Sequence, residues 1–239
     1  MPHESLRRFD ARELRRFLRA VDAELDGTVR VVLVGGSALA LGYAVGTSTV
    51  GVDTWESDLG RIRGAAARAR AATGLDIPID SAAVGDVPYE YESRLRRVLP
   101  RLHRLEVCVP EKHDLALSKV MRCHEGDLAG IEALHRLHGL DEETLVTRYM
   151  EEMKHVIGDP GRIDLNLLAA VERVFGVVDA EAVERRLAEW RKDEDSRPLP
   201  PGLRSKPRTE RSRRTPDIPR RRAASRSGSS PRSRRARAR

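Results

Sequence analysis

The fold is decided by VVLVGGSALAL at residues 31–41, which is followed shortly by TVGVDTWE at residues 49–56. The β-branched run that opens the first stretch predicts a central strand covered on both faces. The two glycines and the serine predict a tight turn into a short Ala- and Leu-rich helix at 37–43. The second stretch alternates well enough to predict another strand, with Asp53 on one of its faces. This region therefore predicts a unit of strand, turn, helix and acid-bearing strand.

Helices and strands are expected on both sides of this unit. Apolar residues at three- and four-residue steps predict an N-terminal helix, and an alanine-rich segment that ends at Gly74 predicts another. Pro78 interrupts a short strand, which favours an edge position, and Pro110 ends the last strand. The expected helices before residue 110 are 10–25, 37–43 and 59–73, the expected strands are 29–34, 49–55, 75–83 and 102–109, and 85–100 is expected to be an irregular connection.

From residue 111 onward the apolar periodicity is helical throughout. Asp141 and Asp159 are expected to cap two of these helices, and Pro160 suits a first helical turn. The sequence therefore predicts an α/β (α+β) protein with a small mixed sheet and flanking helices. The predicted later helices are 112–124, 127–137, 141–157, 160–175 and 180–192, and the predicted units are an α/β domain at 1–110, a helical domain at 111–195 and a tail at 196–239.

The last part of the chain differs sharply in composition from the rest. Residues 197–239 contain fifteen Arg and one Lys but only two acids, a net charge of +14, whereas the whole chain carries +7. Residues 1–196 therefore carry a net charge of −7, and the basic isoelectric point belongs to the tail. Because the tail has almost no hydrophobic residues to offset its ordering entropy, we predict that it is disordered.

Cysteine content and hydropathy bear on where the protein works. Cys108 and Cys123 are too few for a disulfide framework, and their spacing to histidines lacks the pairs that zinc sites use. No apolar run approaches the ~20 residues that cross a bilayer, and the N-terminus has no signal-like apolar segment. The sequence therefore predicts a cytoplasmic protein with no membrane partner.

The order of strand, Gly-Gly-Ser turn, helix and acid-bearing strand suits nucleotidyl transfer. That reaction holds an α-phosphate in line with an attacking oxygen while metal ions neutralise the developing charge, so the protein must supply carboxylates. Backbone N–H groups at a tight turn before a helix can bind a triphosphate. Two acids at positions i and i+2 of a strand share one face and can bind a pair of metal ions.

These features resemble the nucleotidyltransferase superfamily and, within it, the AbiEii-like abortive-infection toxins and related bacterial families. The Gly-Gly-Ser turn at 35–37 is similar to the turn of that superfamily, and residues 49–53 are similar to its Thr-x-Asp-hydrophobic-Asp strand. Residues 113–127 are similar to a later helical motif that supplies a lysine and an aspartate. The resemblance covers about residues 29–135 and implies a sheet and flanking helices of nucleotidyltransferase type.

The resemblance also implies a role for each matching residue. It implies Mg²⁺ as the cofactor, a nucleoside triphosphate (NTP) as a substrate, and an RNA such as tRNA, or a protein, as the acceptor. Membership among the toxins would add a cognate antitoxin as a partner. The implied nucleotide-binding residues are Gly35, Gly36, Ser37 and Lys119, the implied catalytic residues are Asp53, Lys119 and Asp127, and Asp127 is expected to orient Lys119.

One position departs from the superfamily pattern. Gly51 stands where the first aspartate of the metal-binding pair is expected, so that Asp53 is left as a single carboxylate and turnover is in question. Glu56 is a candidate second metal ligand, provided that the strand ends or bulges between the two acids, since otherwise they face apart. Asp80 and Glu106, on other predicted strands, are further candidates.

The sequence leaves three functions open. The first is an Mg²⁺-dependent nucleotidyltransferase that modifies an RNA or protein acceptor, with the toxin of a toxin–antitoxin pair as one form that such an enzyme can take. The second is a catalytically degenerate member of the same fold that binds a nucleotide or a partner. The third is an adaptor whose arginine-rich tail binds nucleic-acid phosphates without sequence preference, unless the tail folds back on the acidic body as an autoinhibitor. The two glycines also allow a plain tight turn in some other α/β fold.

Overall fold

The computed structural model describes residues 7–55, 58–82, 86–154 and 156–196. Residues Met1–Ser196 form one compact unit. The predicted disordered tail lies beyond Ser196, outside the described residues. Glu56 is also outside the described residues. The division of the chain at residue 110 into two domains stays a prediction.

The described residues form eight α-helices and a five-stranded sheet, with one short 3-10 helix at Tyr91–Arg94. In chain order the elements are α1 (Ala11–Glu24), β1 (Val29–Val34), α2 (Gly35–Gly42), β2 (Val52–Trp55), α3 (Leu59–Thr73), β3 (Ile79–Ser81), β4 (Arg96–Val98), β5 (Leu105–Val109), α4 (Lys112–Val120), α5 (Glu125–His138), α6 (Glu142–Glu152), α7 (Pro160–Phe175) and α8 (Val177–Ser196).

The strands lie in the order β3-β2-β1-β5-β4, and the sheet is mixed. The pairs β1–β2 and β4–β5 are antiparallel, whereas β1–β5 and β2–β3 are parallel. This confirms the predicted mixed α/β fold, with the β-branched strand at the centre of the sheet. β3 is an edge strand, as Pro78 just before it predicted.

Several predicted boundaries differ from the structure, among them the strand predicted at 75–83, which is limited to Ile79–Ser81, and two differences have a clear physical reason. β2 begins at Val52 rather than at Thr49, because Thr49 pairs with Phe9 in an isolated antiparallel bridge before the strand starts. The stretch 85–100 is not wholly irregular, since it contains the 3-10 helix and β4. β4 is short and exposed, so that it lacks the apolar alternation by which a sequence reveals a strand.

The two faces of the sheet are covered differently. One face, which carries Val31 and Leu33, belongs to a large apolar core to which helices on both sides of residue 110 contribute. The other face carries Val32 and Val34 and has only a small apolar cluster, completed by Trp55, Val87, Tyr91 and Cys108. This small cluster leaves room for a cleft on the second face, beside the end of β1 and the start of β2.

Asp22 fastens the end of α1 to the start of β5. Its buried carboxylate accepts hydrogen bonds from the backbone N–H groups of His103, Arg104 and Leu105, at 3.0, 2.7 and 2.6 Å to one oxygen. Burial alone would raise the pKa of Asp22, but these three donors bring it below its ordinary value. A charged acceptor thus satisfies three N–H groups at the place where the strand begins.

An ion-pair network fastens the 3-10 helix to the helical part of the chain. The Arg94 guanidinium donates two hydrogen bonds to the fully buried Asp114 of α4, at 2.9 and 3.0 Å, and two to Glu152 of α6, at 2.7 and 3.1 Å. Arg148 of α6 donates to the same Asp114 at 2.9 Å. The segment that covers the second face of the sheet is therefore held by charge-assisted bonds as well as by its small apolar cluster.

Within the described ranges, none of the helices is both long enough and apolar enough to span a membrane.

We expect Asp22→Asn to destabilise the protein by about 1–3 kcal/mol at pH 7, because hydrogen bonds to a charged acceptor are replaced by bonds to a neutral one. The folded-state pKa of Asp22 is lowered, so its contribution is complete above the unfolded-state pKa near 4 and is lost as pH falls through the folded-state value. Urea unfolding of wild type and variant should therefore converge at low pH.

Asp193→Asn, at an exposed site on α8, is the matched control and should change little at either pH. A free-energy difference between wild type and Asp22→Asn that is equal at pH 7 and at low pH would contradict this account of Asp22.

Candidate active site

The site begins where β1 ends. Val34, the last residue of β1, pairs with Asp53 of β2, and α2 starts at the next residue, Gly35. Gly35 has a φ of +60°, and a Cβ atom built on it would lie 3.2 Å from Oδ2 of Asp53. Only glycine combines this backbone conformation with such a close approach. The N-terminus of α2 and the Asp53 carboxylate are thereby held side by side.

The N-terminus of α2 has free hydrogen-bonding capacity. Its N-cap residue, Val34, has no side chain that could accept from the first N–H groups of the helix, and these groups have no partner inside the helix. Gly36 is packed closely against Thr49, since a Cβ on Gly36 would lie 3.1 Å from the Thr49 hydroxyl oxygen. Such an N-terminus, with its positive dipole end, favours an anion.

Ser37 is placed differently from its neighbours in the turn. It is fully buried, and its hydroxyl donates a hydrogen bond of 2.8 Å to the carbonyl oxygen of Val34. The hydroxyl therefore closes the first turn of α2 and does not line a cleft. The contact between Ser37 and phosphate stays a prediction from the resemblance.

Lys119 and Asp127 are brought together by the turn between α4 and α5. Lys119 lies near the end of α4, and the chain reverses through Cys123, whose φ is +50°, so that Asp127 in the first turn of α5 faces it. The Lys119 Nζ lies 3.0 Å from Oδ1 of Asp127, and both side chains are only 6% exposed. Arg122, which is 63% exposed, binds the same oxygen at 2.9 Å.

These two cations determine the charge state of Asp127. Burial raises the pKa of an aspartate, but Lys119 and Arg122 outweigh it and lower the pKa of Asp127. Gly130 permits the close packing around the pair, because a Cβ there would lie 3.0 Å from Leu39 of α2 and 3.5 Å from the Lys119 Nζ. Asp127 therefore lies behind Lys119 and holds its ammonium group in place.

Two clefts meet at the end of β1. The first has a volume of about 340 Å³, and the second about 490 Å³. Gly35, Asp53, Lys119 and Arg122 line both of them. The first cleft is completed by Val34, Trp55, Ser81, Ala82, Asp86, Ser118 and Met121, and the second runs past Gly36 and residues 45–50 to Arg8 and the small residues of α5.

Asp53 is the acidic residue at this junction. Partial burial raises the pKa of its carboxyl group; Arg122 and Lys119 oppose that rise, and the negative charge of Asp80 adds to it. Asp80 pairs with Asp53 across β3 and β2, and paired residues of neighbouring parallel strands point to the same face. Two carboxylates and two cations are thus gathered beside the N-terminus of α2.

A sequence-family model described as nucleotidyltransferase of unknown function (DUF6036) matches residues 12–187. The chain belongs to this family. The match extends from α1 into α8 and therefore includes every described residue that lines the first cleft. Neither the curated proteins nor the solved structures yield a match to the chain.

Candidate metal ligands of this nucleotidyltransferase-like domain are few among the residues that the structure describes. In the part of the chain that the structure describes, no three His, Cys, Asp or Glu side chains lie close enough together to hold a metal ion. Glu56, the predicted second ligand, lies outside the described residues. Glu106 pairs with Arg30, four residues before Val34 on β1, which places it about 13 Å along the sheet from the Asp53 level.

Position 51 is tightly packed against the residue that precedes β3. A Cβ on the buried Gly51 would lie 3.1 Å from the carbonyl oxygen of Pro78, and that carbonyl accepts a hydrogen bond of 2.9 Å from the N–H of Val52. An aspartate at 51 would therefore need the Pro78 carbonyl group, which bonds to β2, to move by a few tenths of an ångström. Glycine avoids this contact, and Asp80, the register partner of Asp53, is an alternative second acid.

Arg122 is not among the site residues that the sequence predicts. The structure places it on both clefts and on Asp127. The sequence does contain a usable signal. Arg122 lies three residues after Lys119 in the predicted helix 112–124, and residues three apart share a helix face. An isolated arginine in a chain with 34% charged residues nevertheless carries little information.

We expect Asp127→Asn to destabilise the protein by about 3–5 kcal/mol, because it leaves the buried Lys119 without its charged partner. Lys119→Met should cost less, since Arg122 still pairs with Asp127. Urea unfolding of wild type and both variants at pH 7 measures the two effects.

The opposite ranking, with Lys119→Met as damaging as Asp127→Asn, would mean that the apolar stem of Lys119 contributes more to stability than its charge does.

Proposed function

We propose that this protein transfers a nucleotidyl group from an NTP to an acceptor hydroxyl. The observation that carries the proposal is the meeting of two clefts at one set of four residues, Gly35, Asp53, Lys119 and Arg122. A two-substrate transfer needs a donor and an acceptor to approach one reacting centre from different directions. The family membership supports the same class of reaction.

The first cleft is the better candidate for the NTP. It is the smaller of the two, it is lined by apolar side chains such as Trp55 and Met121, and it ends at the N-terminus of α2. A nucleoside would lie against these apolar groups, and the phosphates would accept hydrogen bonds from the Gly35 turn. Lys119 and Arg122 supply the positive charge that phosphates require.

The acidic groups fit a divalent cation that is shared with the substrate. Mg²⁺ is usually held by one or two carboxylates together with substrate phosphates, and Asp53 with Asp80 offers such a pair. When bound, Mg²⁺ would offset the negative charge that develops on the phosphates. Asp53 is the ligand of first choice, because it lines both clefts, whereas Asp80 lines neither and is its register partner on β3.

The chemistry is a substitution at phosphorus. The acceptor oxygen forms a bond to the α-phosphorus, the bond between that phosphorus and the bridging oxygen of the β-phosphate breaks, and pyrophosphate leaves. The hydroxyl proton is released to solvent. Lys119 and Arg122 contribute by holding the phosphates against the turn, so that attack and departure are in line.

A second candidate is a degenerate family member that binds an NTP without turnover. Gly51 favours this candidate, because it stands just before β2 at the position where the first carboxylate of the metal-binding pair is expected. Binding would then use the same cleft and the same cations. The two candidates differ in whether pyrophosphate is released.

The narrower expectations stay predictions from the sequence. They are the AbiEii-like affiliation, the toxin role, the cognate antitoxin, tRNA as the acceptor and the nucleic-acid contacts of the tail. Co-expression with the neighbouring reading frame, with cell growth as the readout, would test the toxin–antitoxin prediction.

We expect the full chain, incubated with each α-phosphate-labelled NTP, Mg²⁺ or Mn²⁺ and either total tRNA or cell-extract protein, to transfer label and to release pyrophosphate. Asp53→Asn should lower the rate by about 10²-fold or more, since loss of a metal ligand removes several kcal/mol of transition-state stabilisation. Asp193→Asn, with the same loss of charge at an exposed site on α8, is the control.

NTP binding by calorimetry without label transfer would favour the degenerate candidate. Absence of both binding and transfer with all four NTPs and both cations would rule out the two candidates together.

If Asp80 shares the cation with Asp53, then Asp80→Asn should raise the Mg²⁺ concentration that half-saturates NTP binding, by about tenfold, while binding at saturating Mg²⁺ is largely restored. Isothermal titration at a series of Mg²⁺ concentrations measures this. The control is Asp76→Asn, since the Asp76 side chain on the neighbouring surface is 92% exposed. Equal Mg²⁺ dependence in both variants would remove Asp80 from the site.

A further inference from the structure

The second cleft continues into an adjoining groove that the proposed function does not use. This groove has a volume of about 550 Å³ and shares residues 45–48 with the second cleft as a common wall. Its opposite side is the first turn of α1, with Arg12 and Arg15. Arg8 lines the second cleft at the junction. Residues 45–48, which line both the groove and the second cleft, therefore mark a surface path between Asp53 and the exposed start of α1.

Three arginines make this path positively charged. Among the described residues, Arg8, Arg12 and Arg15 form no ion pair. The Arg8 guanidinium donates to the hydroxyl of Ser48, at 2.8 Å for its Nε, and to the carbonyl oxygen of the same residue, both of which are neutral acceptors. Asp10 is the single acid among the described residues that line the groove.

Asp10 is already engaged as the N-cap of α1. Its carboxylate accepts hydrogen bonds of 2.8 Å from the backbone N–H groups of Arg12 and Glu13. It therefore offsets the positive end of the helix dipole rather than the guanidinium charges. The positive charge of this groove contrasts with residues 1–196 as a whole, which carry a net charge of −7.

The lining of the groove indicates what it would bind. Apart from its charged residues it consists of Ala11, Ala40 and residues 44–48, without an aromatic side chain. Arg12 and Arg15 are one helical turn apart and share a face of α1. Such a surface offers charge and small, polar contacts but no base-stacking platform, which suits a sugar–phosphate backbone.

We propose that this groove binds the phosphate backbone at the end of a nucleic-acid strand and directs its terminal hydroxyl toward Asp53. The role as acceptor rests on the proposed function, whereas the binding of the strand does not. Volumes of about 490 and 550 Å³ are of the size of ligand sites, so that a few terminal nucleotides fit rather than a duplex. An acidic protein segment is the competing occupant.

The test uses full-length variants, so that the arginine-rich tail contributes equally to every measurement. The groove variant is Arg8→Gln/Arg12→Gln/Arg15→Gln. The matched control variant is Arg63→Gln/Arg97→Gln/Arg101→Gln, which removes the same charge at three exposed positions outside the described clefts and grooves. The probe is a fluorescent single-stranded 12-mer, as RNA and as DNA, followed by anisotropy over a range of salt concentrations.

The groove variant should bind at least about tenfold more weakly than the control variant. Its slope of log affinity against log salt concentration should be smaller by about 2, since each single-strand phosphate contact contributes about 0.7. A preference for the RNA probe over the DNA probe would identify RNA as the source of the backbone, and the reverse preference DNA. Arg12→Gln/Arg15→Gln, which retains the Arg8 bonds to Ser48, should show most of the loss even if the triple variant folds poorly.

Equal affinities and slopes in the groove and control variants would overturn the proposal, since binding would then belong to the tail or to the general charge. Displacement of the oligonucleotide by poly-glutamate at the same charge concentration would overturn it in favour of an acidic protein partner. The label-transfer assay reports separately on the proposed function. Oligonucleotide binding that depends on the groove arginines, without label transfer, would contradict only the proposed function. Label transfer to protein that does not depend on these arginines would contradict only the proposed role of the groove.

Discussion

The missing side chain at Gly35 is the constraint on which the arrangement of the site depends. A left-handed backbone at this residue turns the chain directly from the central strand into α2, so that the helix N-terminus emerges beside the carboxylate of the neighbouring strand. Any Cβ would enter that space. Lys119, near the end of α4, and Arg122, in the turn after it, lie beside this helix N-terminus. The two clefts therefore share the same lining residues at their junction.

Much of the fold around the site could be predicted from the sequence, because the residue patterns that indicate it are local. The β-branched run, the Gly-Gly-Ser turn and the proline at Pro78 each indicate one conformation, and together they led to the central strand, the helix after it and the edge strand. The convergence of Asp53 with Lys119 came from a family resemblance between separated segments rather than from local physics. Neither kind of signal required knowledge of side-chain packing.

The remaining features depend on tertiary contacts that one sequence does not reveal. Asp80 lies beside Asp53 only through the register of β3 on β2, and a three-residue strand has too few side chains to indicate register. Ser37 looks like a phosphate ligand in the sequence, yet its hydroxyl has a nearer acceptor at the end of β1. Arg8 reaches the cleft because a single bridge between Phe9 and Thr49 brings the N-terminal residues beside the 45–50 loop.

The Arg94 network has a consequence for the order in which the protein takes shape during synthesis. Arg94 lies in the segment that covers the second face of the sheet, but its partners belong to α4 and α6, the latter 58 residues later in the chain. A nascent chain that has only just exposed β5 has all five strands but lacks these partners and Lys119. Because domains emerge N-terminal part first, the wall of the first cleft, to which Ser118, Lys119 and Arg122 belong, is completed only after α4 and the turn that follows it have left the ribosome.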